Sequence, residues 1–429
     1  VTNLTAYRTL CDGVESLCLP DDRFKTVRLS AVFLLPLREE TAAEYALLPF
    51  LLRRSCAAYP DLTALNRRLN ELYGTRIFAN VTRVGEAQAL MLTAVCLKDR
   101  YALAGEALTT ACAQLLRDML FAPALEDGMF RSADVEQERR CLVELIEAEI
   151  NDKRRYARRQ CERMLCAGEA YAVSPYGEAE QAKQLTPQAV TQAWKRMLCR
   201  AQVRLILQGL EEPAAAEEAF RQQFSALRNR QPETLTTAVA FVAKESVRRR
   251  TETMPVEQCK LVMGFRAGTA EPDEGVAAAR LMNALLGGTP HSLLFRHVRE
   301  EKSLCYYCQS SYDRLKGLLL VDSGVEADKI DEAQEEILRQ LDAVRAGQFS
   351  DDDLEAARLS VINQFLEVGD LPSSQMNWYL GQSLLDRQTT PEEAADAIRR
   401  VTREDVCAAA QRVHPDCVYC LKAQKEGQA

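Results

Sequence analysis

Three histidines and fifteen cysteines limit the chemistry open to this chain. Imidazole is the commonest side-chain ligand of catalytic zinc and the usual general base near neutral pH. His291, His297 and His414 all fall in the last third of the 429 residues, so histidine-dependent chemistry is excluded from the first 290. His291 and His297 stand six apart around a glycine turn, a spacing that suits no common zinc motif. Two C-x-x-C pairs, Cys305/Cys308 and Cys417/Cys420, could together supply four thiolates. Both pairs fall in strand-like runs, where residues i and i+3 point to opposite faces. They are therefore expected to be small buried hydrophobes rather than a metal or redox centre. Neither a G-x-S-x-G nucleophile turn nor a G-x-x-x-x-G-K-[ST] phosphate loop occurs.

Composition narrows the classes further. Hydrophobic residues make up 47% and charged residues 27%, enough to bury sizeable cores. A net charge of −8 argues against nucleic acid as a partner, because no strong positive field would draw phosphate. The arginine runs at 154–155 with 158–159, and at 248–250, are expected to be solvated helix faces or linkers. An odd number of cysteines scattered over a long chain does not resemble a disulfide framework and fits a reducing cytoplasm. The N-terminal segment has no basic stretch leading into an apolar one, so no signal peptide is expected. No run approaches the roughly 18 apolar residues of a spanning helix, so no membrane contact is expected either.

The elements that must position any site follow from periodicity. Residues 26–36 read as a strand, 44–56 and 62–72 as helices, the second capped by Asp61. Strands at 76–84 and 88–97 flank a turn at Gly85-Glu86. Helices follow at about 101–120, 132–165 and 185–197, and a strand at 203–208 closes the unit. The second half repeats this order, with strands at 259–265, 306–312 and 317–324 and amphipathic helices after them. Local sequence repeats as well. Phe130-x-x-x-Asp134-Val135-Glu136-x-x-Arg139 matches Phe349-x-x-x-Asp353-Leu354-Glu355-x-x-Arg358 at an offset of 219, and Leu185-Thr186 matches Val401-Thr402 at 216. The expectation is an α+β fold of two tandem homologous domains in a clamshell, each an antiparallel-rich sheet with helices on one face. The domains are expected at 1–226 and 245–429, joined by a polar linker at 227–244.

Several motifs resemble those of the pitrilysin/insulinase family of zinc metallopeptidases in its short two-domain form. Ser174-Pro175-Tyr176-Gly177 followed by Leu185-Thr186-Pro187 resembles the family's HPYG…LTP segment with serine in place of histidine. Gly287-Gly288 and then Arg299-Glu300-Glu301-Lys302-Ser303-Leu304-Cys305-Tyr306 resemble the second domain's glycine turn and R-E-K-x-G-L-x-Y motif. Catalytic members carry H-x-x-E-H on the first helix, with two histidines binding zinc and the glutamate activating its water. Alignment with that pattern puts Pro49 and Arg53 at the two histidine positions, Leu52 at the glutamate, and Leu145 at the distal ligand. None of these can do the job.

The resemblance implies a catalytically inactive subunit with no metal of its own. It would pair with a homologous H-x-x-E-H chain carrying zinc, and Arg299 and Tyr306 would position a peptide substrate. When expressed alone it would form a homodimer. The alternative is a peptide-binding or structural assembly subunit of a bacterial complex with no proteolytic role. An active peptidase with a non-standard site is disfavoured by the missing histidines.

Overall fold

Residues 26–36 are apolar at nearly every position, and such a strand must be covered on both faces. In the computed structural model, which describes residues 7–210 and 212–424, this run lies inside a six-stranded sheet. Residues 1–6, 211 and 425–429, which belong to the two expected domains, lie outside the described residues. The chain divides into two compact units. Unit 1 takes the described residues of 1–147 and 173–236 together with Met376–Gln388. Unit 2 takes Ala148–Ala172, Thr237–Gln375 and the described residues of 389–429.

Unit 1 contains β1 (Arg8–Cys11), β2 (Val14–Leu19), β3 (Thr26–Pro36), β4 (Arg76–Val84) and β5 (Ala87–Leu97). A small hairpin of β6 (Leu125–Glu126) and β7 (Met129–Phe130) follows, and then β8 (Gln202–Gln208). The sheet order is β1-β2-β8-β3-β5-β4, with β2 and β8 parallel and the other neighbours antiparallel. Leu29, Ala31, Phe33 and Leu35 of β3 enter the main core. The alternate residues face the other way, where Ser30 Oγ meets Met376 Sδ at 3.3 Å.

Unit 2 repeats this topology with β9 (Arg248–Met254), β10 (Cys259–Arg266), β11 (Cys305–Asp313), β12 (Leu318–Val325) and β13 (His414–Ala423). Its order is β11-β12-β10-β13-β9, again with one parallel pair, β13 with β9. The five-strand order β4-β5-β3-β8-β2 in unit 1 is thus the order β11-β12-β10-β13-β9 in unit 2. The sequence repeat has a structural use. Arg139 Nη1 donates to the Leu185 carbonyl at 3.1 Å, and its counterpart Arg358 Nη1 donates to the Ile398 carbonyl at 2.6 Å. In each half the arginine ties a long helix to the chain just before a threonine-capped helix.

The first helices of unit 1 along the chain are α1 (Glu39–Leu52), α2 (Leu62–Glu71), α3 (Leu108–Phe121) and α4 (Ser132–Glu147). Asp61 caps α2 as expected, accepting from Ala64 N at 2.8 Å. The helix expected over 132–165 is two helices. Asn151-Asp152 interrupts it, and the Asp152 side chain accepts from Arg155 N at 3.0 Å to start α5 (Lys153–Leu165). Helix α5 belongs to unit 2, where Ala157, Cys161 and Leu165 pack on Val262, Leu320 and Tyr419. Leu261, Met263 and Phe265 are buried on the opposite face of the same strand. Each unit therefore takes one segment from the other half of the sequence, which no single linker describes.

The arginine runs also differ from the expectation. Arg154 Nε lies 2.6 Å from the Asp322 carboxylate, and Arg158 binds the same group. Arg248 binds Asp416, and Arg159 is itself buried. Asp322 and Asp416 are almost wholly buried, and burying a carboxylate is costly unless it is paired in this way.

Candidate functional site

Helix α1 and its C-cap residue carry three of the four positions that the resemblance assigns to metal chemistry. Pro49 lies inside the helix and is buried, as is Leu52. Proline lacks the N–H that would bond the Tyr45 carbonyl one turn back. Arg53 is exposed at the C-terminal end, with its guanidinium 5.5 Å from the centre of the Phe50 ring. A cation is favourable there because the last carbonyls of a helix carry partial negative charge. Leu145, on α4, is exposed.

This donor set does not fit zinc. Two of the positions are aliphatic, one is a proline, and the fourth is a permanent cation that would repel the ion. The nearby carboxylates are committed to another charge. Arg54 donates to Glu138 at 2.6 Å, to Asp134 at 3.1 Å and to the Gln137 side-chain carbonyl at 3.2 Å. Among the described residues, no group of three or more His, Cys, Asp or Glu could hold a metal ion.

A cavity of about 560 Å³ occupies this region instead. Its walls are Phe50 from α1, Leu65 and Leu69 from α2, Ile77 from β4, and Leu142 and Leu145 from α4. Arg53, Arg54, Asn66, Gln137 and Glu138 supply its polar groups. The size is that of a small-molecule site. This cavity is not anticipated from the sequence. Its available signal was the stripe Leu62, Leu65 and Leu69 on α2, spaced three and four apart.

The other pair of expected site residues lies in unit 2. Arg299 sits near the end of a helical segment, Leu294–Glu301, that packs against β11. It is exposed, its guanidinium is 4.6 Å from the Phe295 ring centre, and it has no carboxylate partner among the described residues. Glu301 is taken by His297, whose Nδ1 is 2.7 Å away. Tyr306 is 57% exposed, and its hydroxyl lies 3.5 Å from Glu326 Oε1. Its neighbour Tyr307 is half-buried under Arg154, 4.2 Å from the ring centre. Burial, aided by the charge of Asp322, pushes the Tyr307 phenol up. Strand β11 is an edge of its sheet, so one row of its backbone N–H and C=O groups has no strand partner among the described residues.

The two C-x-x-C pairs differ. Cys417 and Cys420 do point apart. Cys417 Sγ is 3.6 Å from Cys161 Sγ on α5, whereas Cys420 lies outside that cluster. Cys305 and Cys308 do not obey strict alternation. The register of β11 on β12 shifts between Cys305 and Tyr307, and both thiols are buried while Tyr306 between them is exposed. A bulge moves later residues to the other face. The Cys305 thiol is held below the ordinary cysteine value by Cys308 and, more weakly, by the charge of Arg299. Cys308 is pushed up by Cys305 and by burial.

The motif at 174–177 is structural. Gly177 N donates to the Ser174 carbonyl at 2.9 Å, closing a turn, and Tyr176 N donates to Ser174 Oγ at 3.2 Å. Buried Gln88 then joins this turn to α1, donating to the Pro175 carbonyl at 2.6 Å and the Ala42 carbonyl at 2.9 Å. The glycine turn of the second half is also a close approach. A Cβ on Gly287 would lie 2.7 Å from Ser310 N.

Comparison with known proteins agrees with these observations. The family model described as "Peptidase M16 inactive domain" matches residues 184–361. The chain is 30% identical over 412 residues to "Probable inactive metalloprotease YmfF" of Bacillus subtilis (strain 168), covering 96% of each protein. It is 26% identical over 172 residues to "Uncharacterized zinc protease YmxG" of the same organism, covering 39% of this chain and 41% of that protein. A conserved protein from Enterococcus faecalis V583 has the same fold, with a TM-score of 0.90 at 24% identity, covering 99% of this chain and 100% of the other. No helix among the described residues is long and apolar enough to cross a membrane. Topology, motifs and full-length similarity together show that the chain belongs to the M16 (insulinase) peptidase family, as an inactive-domain member.

Proposed function

We propose that this chain is the non-catalytic subunit of a two-chain peptidase. It pairs with a homologous subunit that carries zinc and contributes Arg299 and Tyr306 to holding a peptide. The observation that carries this reading is the state of that pair. Arg299 has no counter-ion among the described residues, and Tyr306 stands open at the start of an edge strand. A guanidinium and a phenol are donors suited to a peptide carbonyl or carboxylate. An open strand edge can accept an extended peptide through its backbone. The partner would supply the metal, the water-activating carboxylate and therefore hydrolysis.

Purified alone, the chain is expected to bind no stoichiometric zinc and to cleave no peptide. Chelator-sensitive cleavage by the single chain would overturn the proposal. Co-expression with a zinc-bearing homologue from the same source is expected to give a stable complex with peptidase activity. In that complex Arg299→Ala should lower kcat/KM by about tenfold to a hundredfold, the value of a lost charged hydrogen bond. Unchanged turnover would instead assign the chain a purely structural role in assembly.

A further inference from the structure

The geometry points to the cavity between α1, α2 and α4 as a binding site for an amphiphilic monocarboxylate, its alkyl chain in the cavity and its carboxylate on Arg53. This site lies in unit 1 and is independent of the peptide-holding role proposed above.

Three observations select that chemistry. The walls are aliphatic and aromatic, and Leu62 and Leu145 at the rim keep 45% and 46% of their surface open to water. Large apolar side chains grouped around an opening favour an apolar ligand, which removes that surface from water. The charges at the rim are not balanced. Arg54 is matched by Asp134 and Glu138, whereas Arg53 has no carboxylate partner among the described residues. Gln137 uses its carbonyl on Arg54, which leaves its amide N–H groups as further donors beside the opening. A carboxylate suits this arrangement because one guanidinium binds it through two parallel hydrogen bonds. A dianion such as a phosphate monoester suits it less, because Glu138 lines the same cavity and would repel the second charge.

The test uses the full chain and a fluorescent alkyl carboxylate, dansylaminoundecanoate, with decanoate and decanol as competitors. The probe should saturate at one site per chain, and decanoate should displace it about tenfold more effectively than decanol. Arg53→Gln should bring decanoate to the level of decanol and leave decanol unchanged. Arg53 is exposed and makes no ion pair among the described residues, so this variant should remain folded, losing only the small contribution of a cation at a helix end. Leu69→Trp, which fills the cavity, should abolish probe binding. The proposal is overturned if the wild type shows no saturable binding. It is also overturned if Arg53→Gln leaves the preference for decanoate intact, or if the probe binds a folded Leu69→Trp variant as tightly as wild type.

Discussion

Replacing Glu169 with alanine is expected to destabilise unit 2 by about 3–5 kcal/mol, the usual cost of stranding a buried charge. Glu169 follows α5, in the segment that unit 2 takes from the first half of the sequence. Its carboxylate lies 2.6 Å from Lys316 Nζ and 2.9 Å from Arg266 Nη2. Lys316 is wholly buried and Arg266 nearly so. Arg266 would retain Asp416 at 3.3 Å, whereas Lys316 would lose the Glu169 carboxylate while keeping contacts such as that to the Ala238 carbonyl. Hydrogen exchange across β10 and β12 should report the loss as a lower opening free energy. An effect below about 1 kcal/mol would place this cluster with ordinary surface pairs.

The same carboxyl gives a pH signature. Burial pushes its titration up, but the hydrogen bonds and charges of Lys316 and Arg266 outweigh burial and hold it below the ordinary glutamate value. Its contribution to stability is therefore complete above the unfolded value of about 4.3 and is lost as pH falls through the lower folded value. The stability gap between wild type and Glu169→Gln should be constant from neutral pH to about 4.3 and narrow in more acidic solution.

Gly177→Ala is the second large effect, at about 2–4 kcal/mol. Gly177 has φ of +73°, and a Cβ there would lie 2.6 Å from the backbone nitrogen of Ala43 in α1. Neither the turn nor the helix backbone can yield cheaply. Gly74 is the control, because its φ of +74° is the same but no atom lies within 4 Å of the added carbon. Gly74→Ala should cost only the conformational part, about 1 kcal/mol. Urea unfolding followed by tryptophan fluorescence suits both variants, since Trp194 and Trp378 both belong to unit 1. Equal midpoints for the two variants would show that the contact with Ala43 is not limiting.

Much of the secondary structure was legible because it is written in short-range terms. The strands at 26–36, 76–84 and 317–324 and the cap at Asp61 agree with the structure within a residue or so. Strands β1 and β2 were not anticipated. They are short, and β2 is buried through pairing with β8, nearly two hundred residues away. The helix expected over 132–165 was wrong in kind rather than in extent. Its periodicity does not show that a cap at Asp152 lets the second part leave for another core. Of the candidate sites, the unfit metal positions were legible from residue type alone. The cavity that stands among them was not, because it is formed by three helices and a strand edge.

By itself the sequence determined that the chain is a duplication and that its first 290 residues hold no imidazole. It also determined that Pro49, Leu52, Arg53 and Leu145 cannot act as a zinc site, since ligand chemistry resides in the side chain whatever its position. Only the tertiary structure decided which charges are solvated and which are buried, as with Arg154 and Arg158 on Asp322. It alone showed that a one-residue register shift buries Cys305 and Cys308 together while leaving Tyr306 exposed. It alone left Arg53 beside an apolar cavity and Arg299 without a counter-ion among the described residues. Those outcomes depend on pairings between distant segments, where one residue of register or one exchanged helix reverses what a side chain faces.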